Sequence, residues 1–237
     1  MIEYKKSMEV KTYSQKLTQR IESVNSNLCV GLDPRVDQID GDFETFVLNL
    51  IDETISSAAC YKPNAAYFEA LGSKGYAIME RIITHIPEEI PVILDAKRGD
   101  IGATQSYYAR AYFEMMEGVD AVTISPYMGF DSVEPMLKYP GKAVYLLGVT
   151  SNKTAHDIET QILSDGRSVF ELVCDMSNKD VKHDGEHDNI MVNMMMAMMM
   201  IVMMTLVMMT VMMTLVIVMV MMVVTPMISI MMAMMVM

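Results

Sequence analysis

Before residue 190 the chain is short of cations, of cysteines and of long apolar runs. Lys and Arg number 18 against 30 Asp and Glu, giving a net charge of −12. That balance excludes a surface for nonspecific nucleic-acid binding, and an anionic substrate would have to be met by a few locally placed cations. There are three cysteines, Cys29, Cys60 and Cys174, without a CxxC spacing. Neither a disulfide framework nor a zinc framework is expected from them, and they read as buried thiols of a reducing cytoplasm. Residues 1–20 are polar and Lys-containing with no apolar stretch, so neither a secretory signal nor an N-terminal anchor is expected there. No Gly-rich dinucleotide fingerprint follows the first strand-like run.

What is present is a repeat of short strands and helices. Nearly continuous apolar runs at residues 28–32, 58–61, 91–94, 121–124 and 143–149 alternate with helical apolar spacing at 43–55, 67–86, 104–116, 132–138 and 167–176. Strands buried on both faces are short and apolar throughout, and alternation with helices is the mark of a parallel sheet built from βα units. Asp131 is placed to cap a helix starting at Ser132. In each unit the polar and special residues gather where the strand ends: Asp33 and Pro34, then residues 62–64, 95–104, 125–129 and 150–152. Functional groups at the carboxyl ends of strands are what a TIM (β/α) barrel requires, and such barrels take about 250 residues. The expected fold class is therefore α/β, an incomplete TIM (β/α) barrel with five to six recognisable units over residues 1–190. A doubly wound open sheet is the alternative, and the missing fingerprint counts against it.

The densest set of chemical groups is Leu94-Asp95-Ala96-Lys97-Arg98-Gly99-Asp100-Ile101-Gly102. Strand alternation puts Asp95 and Lys97 on one side. Partly desolvated in a barrel mouth, they must compensate one another, with Lys62 as a further charge. A lysine held as an ammonium among carboxylates is suited to deliver a proton to a developing carbanion. The structural alternative is an ion-pair network that only organises the barrel. His183 and His187, with Asp184, Glu186 and Asp188, have the spacing of a divalent-metal cluster if helical, but Gly185 between them favours a solvated loop, and no metal site is expected. His85 and His156 read as surface or cap residues. Tyr107, Tyr108 and Tyr112 have helical spacing, for packing or a dimer contact rather than base stacking.

The Asp95-Ala96-Lys97-Arg98-Gly99-Asp100-Ile101-Gly102 segment resembles the signature of the orotidine 5'-phosphate decarboxylase family, in particular its bacterial subgroup. Gly31-Leu32-Asp33-Pro34, Lys62-Pro63-Asn64, Phe68-Glu69, Pro126-Tyr127-Met128-Gly129 and Thr150-Ser151-Asn152 extend the likeness over roughly residues 25–175. The resemblance implies decarboxylation of orotidine 5'-phosphate to UMP in pyrimidine biosynthesis, in the cytoplasm and without metal, flavin or nicotinamide. It implies that Asp33 and Lys62 hold ribose hydroxyls, with Asn64 in the same substrate-binding set. Asp95 would lie beside the substrate carboxylate, Lys97 would protonate C6, and Ser151 would contact the pyrimidine ring. Asp100 and Thr104 would reach into the neighbouring subunit's site, which makes the expected assembly a homodimer. The isolated Asp-x-Lys-x-x-Asp pattern also fits sister sugar-phosphate decarboxylases, and a membrane-tethered or noncatalytic barrel remnant is a further alternative.

From residue 191 onward the chain is almost wholly Met, Val, Thr, Ile, Leu and Ala. After Asn193 there is no Gly, Lys or Arg, so the Gly-rich loop and Arg with which the family grips phosphate have no counterpart there. Three readings compete for residues 191–237. The stretch exceeds the roughly 20 apolar residues of a membrane span, but it lacks basic flanks and an aromatic belt. A Met-rich adaptable surface is the second, disfavoured by low complexity and by Pro226 as the only turn residue. The third, which fits best, is a departure of the reading frame or assembled gene near Asn193, since most residue types there have codons one base from that of Met.

Overall fold

The computed structural model describes residues 10–177 and 190–193. The candidate histidine cluster at 183–188 and the Met-rich residues 194–237 lie outside the described residues. Six strands are described, β1 Leu28–Leu32, β2 Ala58–Pro63, β3 Ile93–Arg98, β4 Ala121–Ile124, β5 Ala143–Leu147 and β6 Ile190–Asn193. Pairing is parallel throughout and follows chain order. β1 pairs with β2, and β3, β4, β5 and β6 pair in sequence. Parallel bridges Tyr61↔Val92 and Asn64↔Asp95 join β2 to β3. Between the strands come α2 Phe43–Thr54, α3 Ala65–Glu69, α4 Gly72–His85, α5 Gly102–Arg110 and α6 Val169–Ser177, preceded by α1 Tyr13–Val24. Consecutive parallel strands with helical crossovers are the wall of a (β/α) barrel.

Alternation along the strands sorts the side chains into two layers. Leu32, Tyr61, Val92, Leu94, Val122, Ile124, Val144 and Leu146 join Val47, Ile51, Phe68, Ile82 and Ile83 of the helices in the main core. Each large apolar side chain fully buried in this layer stabilises the fold by about 1.5–3 kcal/mol relative to exposure. The opposite parity gives a smaller cluster of Cys60, Ile93, Ala121 and Ala143, with Cys29 and Tyr145 at its margin. Tyr13 and Leu17 of α1 pack into this second cluster at the amino-terminal end of the strands. The small inward residues leave room for them, and the Tyr13 and Tyr145 hydroxyls are hydrogen-bonded at 2.9 Å. Two residues further along the same inward rows come Lys62, Asp95 and Thr123.

α1 stands in a segment whose polarity had hidden it. Its start is a capping box: Gln15 N–H donates to Thr12 Oγ1 at 3.2 Å and Thr12 N–H to Gln15 Oε1 at 3.1 Å. Arg20 ties the helix to the sheet by donating to the carbonyls of Ala58 and Ile55.

Several helix expectations are corrected. The helix expected at 67–86 is two, because the chain turns at Leu71 and at Gly72, where φ is 66°. The helix expected at 132–138 with Asp131 as its cap is absent. Two 3₁₀ turns, Phe130–Ser132 and Met136–Lys138, stand there instead. The Ser132 hydroxyl donates to the carbonyls of Gly129 and Ser125, a local alternative to helical pairing. The helix expected at 104–116 is α5 followed by a π turn, Ala111–Met115.

Candidate active site

β3 carries the site, and it is not a regular strand. Ile93 and Leu94 pair with Ala121 and Val122, but Arg98 next pairs with Ile124, so residues 95–97 bulge out of the ladder. Lys97 has φ 47°, in the left-handed region. Asp95 and Lys97 do point into one site, but the bulge brings them together rather than the regular pleat expected from the sequence. Bulges of this kind re-aim side chains next to functional sites.

Asp95 is the hub. Its Oδ2 lies 3.1 Å from Lys62 Nζ, and its Oδ1 lies 2.7 Å from Lys97 Nζ and accepts the Thr123 hydroxyl at 2.9 Å. The Lys62 and Asp95 side chains are 6% and 8% exposed, whereas that of Lys97 is 46% exposed. Burial by itself would push the Asp95 carboxyl up, but the Lys62 and Lys97 ammoniums with the Thr123 hydroxyl hold it below the usual carboxylate range. Burial likewise would pull Lys62 down, and the charges of Asp95 and Asp33 outweigh it, so its ammonium is held above the ordinary lysine value. Both shifts say that the pair stays ionised in the folded protein.

Around this hub the other expected residues take distinct places. Asp33 is exposed at the end of β1, and its Oδ1 accepts from Asn64 Nδ2 at 2.9 Å. Asn64 also caps α3, its Oδ1 accepting from Ala66 N–H at 3.2 Å. Asp100 is not joined to Lys97 by an ion pair among the described residues. Its Oδ1 accepts from Ile101 N–H at 2.8 Å, just ahead of α5. Thr104 is exposed on the first turns of α5. Ser151 is exposed on the loop after β5, beside Thr150, whose N–H and hydroxyl both donate to Glu159. Lys62, Asp95 and Lys97 are therefore brought into contact, Asp33 and Asn64 form a second pair, and Asp100, Thr104 and Ser151 stand apart on the surrounding loops.

One residue of the site, Thr123, escaped the sequence reading, and two members of the quoted motif, Arg98 and Gly99, take roles that the sequence had not assigned. Thr123 is fully buried in β4, and besides donating to Asp95 its Oγ1 accepts the Lys97 N–H at 2.9 Å. Its signal was a lone hydroxyl inside the apolar run Ala121-Val122-Thr123-Ile124. Arg98 points the other way from Lys97. It pairs with Glu69 of α3, donates to the Ala96 carbonyl at 2.9 Å and lies 5.8 Å from the centre of the Tyr108 ring. Gly99 sits where a Cβ would fall 2.7 Å from the Ser125 carbonyl oxygen, so only glycine lets the two loops approach.

A barrel wall whose strand ends hold a buried carboxylate between two ammoniums defines a class of enzyme-like barrels, and comparison with known proteins narrows it. The sequence profile of the orotidine 5'-phosphate decarboxylase / HUMPS family matches residues 26–203. The chain is 42% identical over 175 residues to orotidine 5'-phosphate decarboxylase of Bacteroides fragilis strain YCH46, covering 70% of this chain and 64% of that protein. It is 39% identical over 174 residues to the Herpetosiphon aurantiacus protein of the same name, covering 70% and 65%. Among solved structures, Leishmania donovani OMP decarboxylase superposes with a TM-score of 0.68 at 38% identity, over 76% of this chain and 69% of that one. The chain belongs to the orotidine 5'-phosphate decarboxylase / HUMPS family. It spans less than two thirds of the length of the first curated relatives it matches.

Proposed function

We propose that the protein decarboxylates orotidine 5'-phosphate to UMP, with Lys97 as the acid that protonates C6. The observation that carries the reading is the array itself, with Asp95 buried and ionised between Lys62 and a Lys97 whose side chain is open to solvent. A substrate carboxylate placed beside Asp95 is repelled, and the repulsion falls as its charge moves onto C6. The C6–carboxylate bond breaks to release carbon dioxide, and the electron pair left at C6 takes a proton from the Lys97 ammonium, which is then reprotonated from water. The array favours the carbanionic transition state over the ground state because its charges are fixed before the reaction starts. Asp33, Lys62 and Asn64 are the ribose-facing set, and Ser151 meets the pyrimidine.

Asp100 and Thr104 stand outside the hub, consistent with their serving the site of a second copy in a homodimer. Exposed Ile101, Tyr107, Tyr127 and Met128 lie on the same loops and on α5, apolar surface suited to such a contact. The three cysteines stand as thiols, which fits a reducing cytoplasm. Among the described residues no helix is long and apolar enough to cross a membrane.

The test is turnover of orotidine 5'-phosphate, followed by its ultraviolet absorbance, in the protein and in Lys97→Ala. Turnover that resists chelator and falls by orders of magnitude in the variant supports the reading. Decarboxylation of a sugar phosphate that chelator abolishes would instead assign the chain to a sister sugar-phosphate decarboxylase.

A further inference from the structure

Lys97 is in an unusual backbone state for its residue type. Among the described residues only Asn25 and Lys97 combine a side chain with positive φ, and Asn25 ends a helix, where that conformation is common. Lysine has no short polar side chain to stabilise the left-handed region, so something else must hold it. The holder is a closed ring of hydrogen bonds. Lys97 N–H donates to Thr123 Oγ1 at 2.9 Å, Thr123 Oγ1 spends its one proton on Asp95 Oδ1 at 2.9 Å, and Asp95 Oδ1 returns to Lys97 through Nζ at 2.7 Å. Both the backbone and the ammonium of Lys97 are thereby referred to one carboxylate oxygen. Thr123 is fully buried. Its single hydroxyl oxygen serves as donor and acceptor at once, which an apolar side chain could not do.

We propose that Thr123 is a positioning residue for the reaction: its hydroxyl holds the Asp95–Lys97 bulge in the conformation that presents the Lys97 ammonium as proton donor. This rests on the decarboxylase reading for its effect on turnover, but not for its effect on the array. Thr123 acts through Lys97 and Asp95, so its loss should fall on kcat rather than on substrate binding. A misplacement of a reacting group by about 1 Å costs on the order of 10²-fold in rate.

The experiment compares Thr123→Val, which keeps the shape and removes the hydroxyl, with Thr123→Ser, which keeps the hydroxyl and removes a methyl. The expected result is kcat about 10- to 100-fold lower in Thr123→Val, KM within about threefold, and recovery to near the parent rate in Thr123→Ser. A residue that only filled space would rank the variants the other way, with Val tolerated and Ser impaired, and that ranking overturns the proposal. The same proteins, with 13C-labelled aspartate, are titrated by NMR. Asp95 should titrate higher in Thr123→Val and unchanged in Thr123→Ser. If the parent protein does not turn over orotidine 5'-phosphate, the decarboxylase reading falls, and an Asp95 titration unmoved in Thr123→Val would then separately remove the role of Thr123.

Discussion

Lys62 and Asp95 form an ion pair across β2 and β3, Nζ to Oδ2 at 3.1 Å, with both side chains over nine-tenths buried. Removing one member of such a pair leaves the other charged in a poorly solvated place, which costs about 3–5 kcal/mol. Asp95→Asn should therefore lower stability by that order, because the Lys62 ammonium loses its partner. Lys97→Met should cost much less, since the Lys97 side chain is 46% exposed and can be spared without stranding a buried charge. Urea unfolding of the two variants checks the contrast. Equal losses would mean that Lys97 is as deeply embedded as Lys62.

The same pair sets the pH dependence of stability at both ends. The Asp95 carboxyl is held below its ordinary value in the folded state, so its contribution is present above the unfolded carboxylate pKa of about 3.9 and is lost as pH falls through the lower folded value. The Lys62 ammonium is held above its ordinary value, so its contribution is complete below about 10.4 and is lost as pH rises through the higher folded value. Between these limits the pair adds no slope. Thermal unfolding across pH should show an acid limb that Asp95→Asn flattens and an alkaline limb that Lys62→Met flattens. A neutral-pH slope that either variant removed would contradict the assignment.

The sequence was legible where one physical rule governed alone. Apolar content marks strands β1 and β4 to the residue, although only β4 is buried throughout and β1 is fully buried at Leu32 alone. The extent of β3 was misjudged because four of its six residues are Asp95, Ala96, Lys97 and Arg98, a charged stretch beyond the apolar run that only the surrounding barrel keeps in a strand. The pairing of Lys62, Asp95 and Lys97 was legible from their places at strand ends. The bulge was not, since it depends on the register with β4, a partner 28 residues away through the Thr123–Asp95 bond. α1 was missed because its buried face is narrow, Tyr13 being its only fully buried residue. Residues 132–138 were read as a helix because apolar spacing does not reveal that the Ser132 hydroxyl takes the carbonyls of Gly129 and Ser125.

Gly99 separates the needs of the site from those of the core. A methyl group there would meet the Ser125 carbonyl at 2.7 Å, and that backbone is itself held by Ser125 N–H donating to the Arg98 carbonyl at 2.7 Å. Neither side can yield without moving the turn that follows Lys97. Gly99→Ala should cost about 1–3 kcal/mol in stability, the usual range for overpacking, and should lower kcat by more than that loss of folded protein explains. Activity measured at a temperature where the variant is fully folded makes the distinction. Unchanged kcat there would mean that the turn moves without carrying Lys97 with it.

The opposite end of the strands should affect stability alone. Thr12 closes the capping box of α1, and α1 sends Tyr13 among the inward residues near Cys60, Ile93 and Ala143, two residues below the Lys62 and Asp95 level. Thr12→Ala removes the acceptor of Gln15 N–H and should cost about 1 kcal/mol, typical for loss of an N-cap. Tyr13→Ala removes a fully buried ring and its bond to Tyr145, and should cost about 3–5 kcal/mol. The two losses should be less than additive, because a frayed α1 already gives up part of the Tyr13 burial. Neither side chain touches the charge array, so kcat per folded molecule should be unchanged in both. A fall in kcat for Thr12→Ala at full folding would mean that the packing of α1 is transmitted through Tyr145 and Cys60 to Lys62, and the site would then have to be described as extending through the whole inward row.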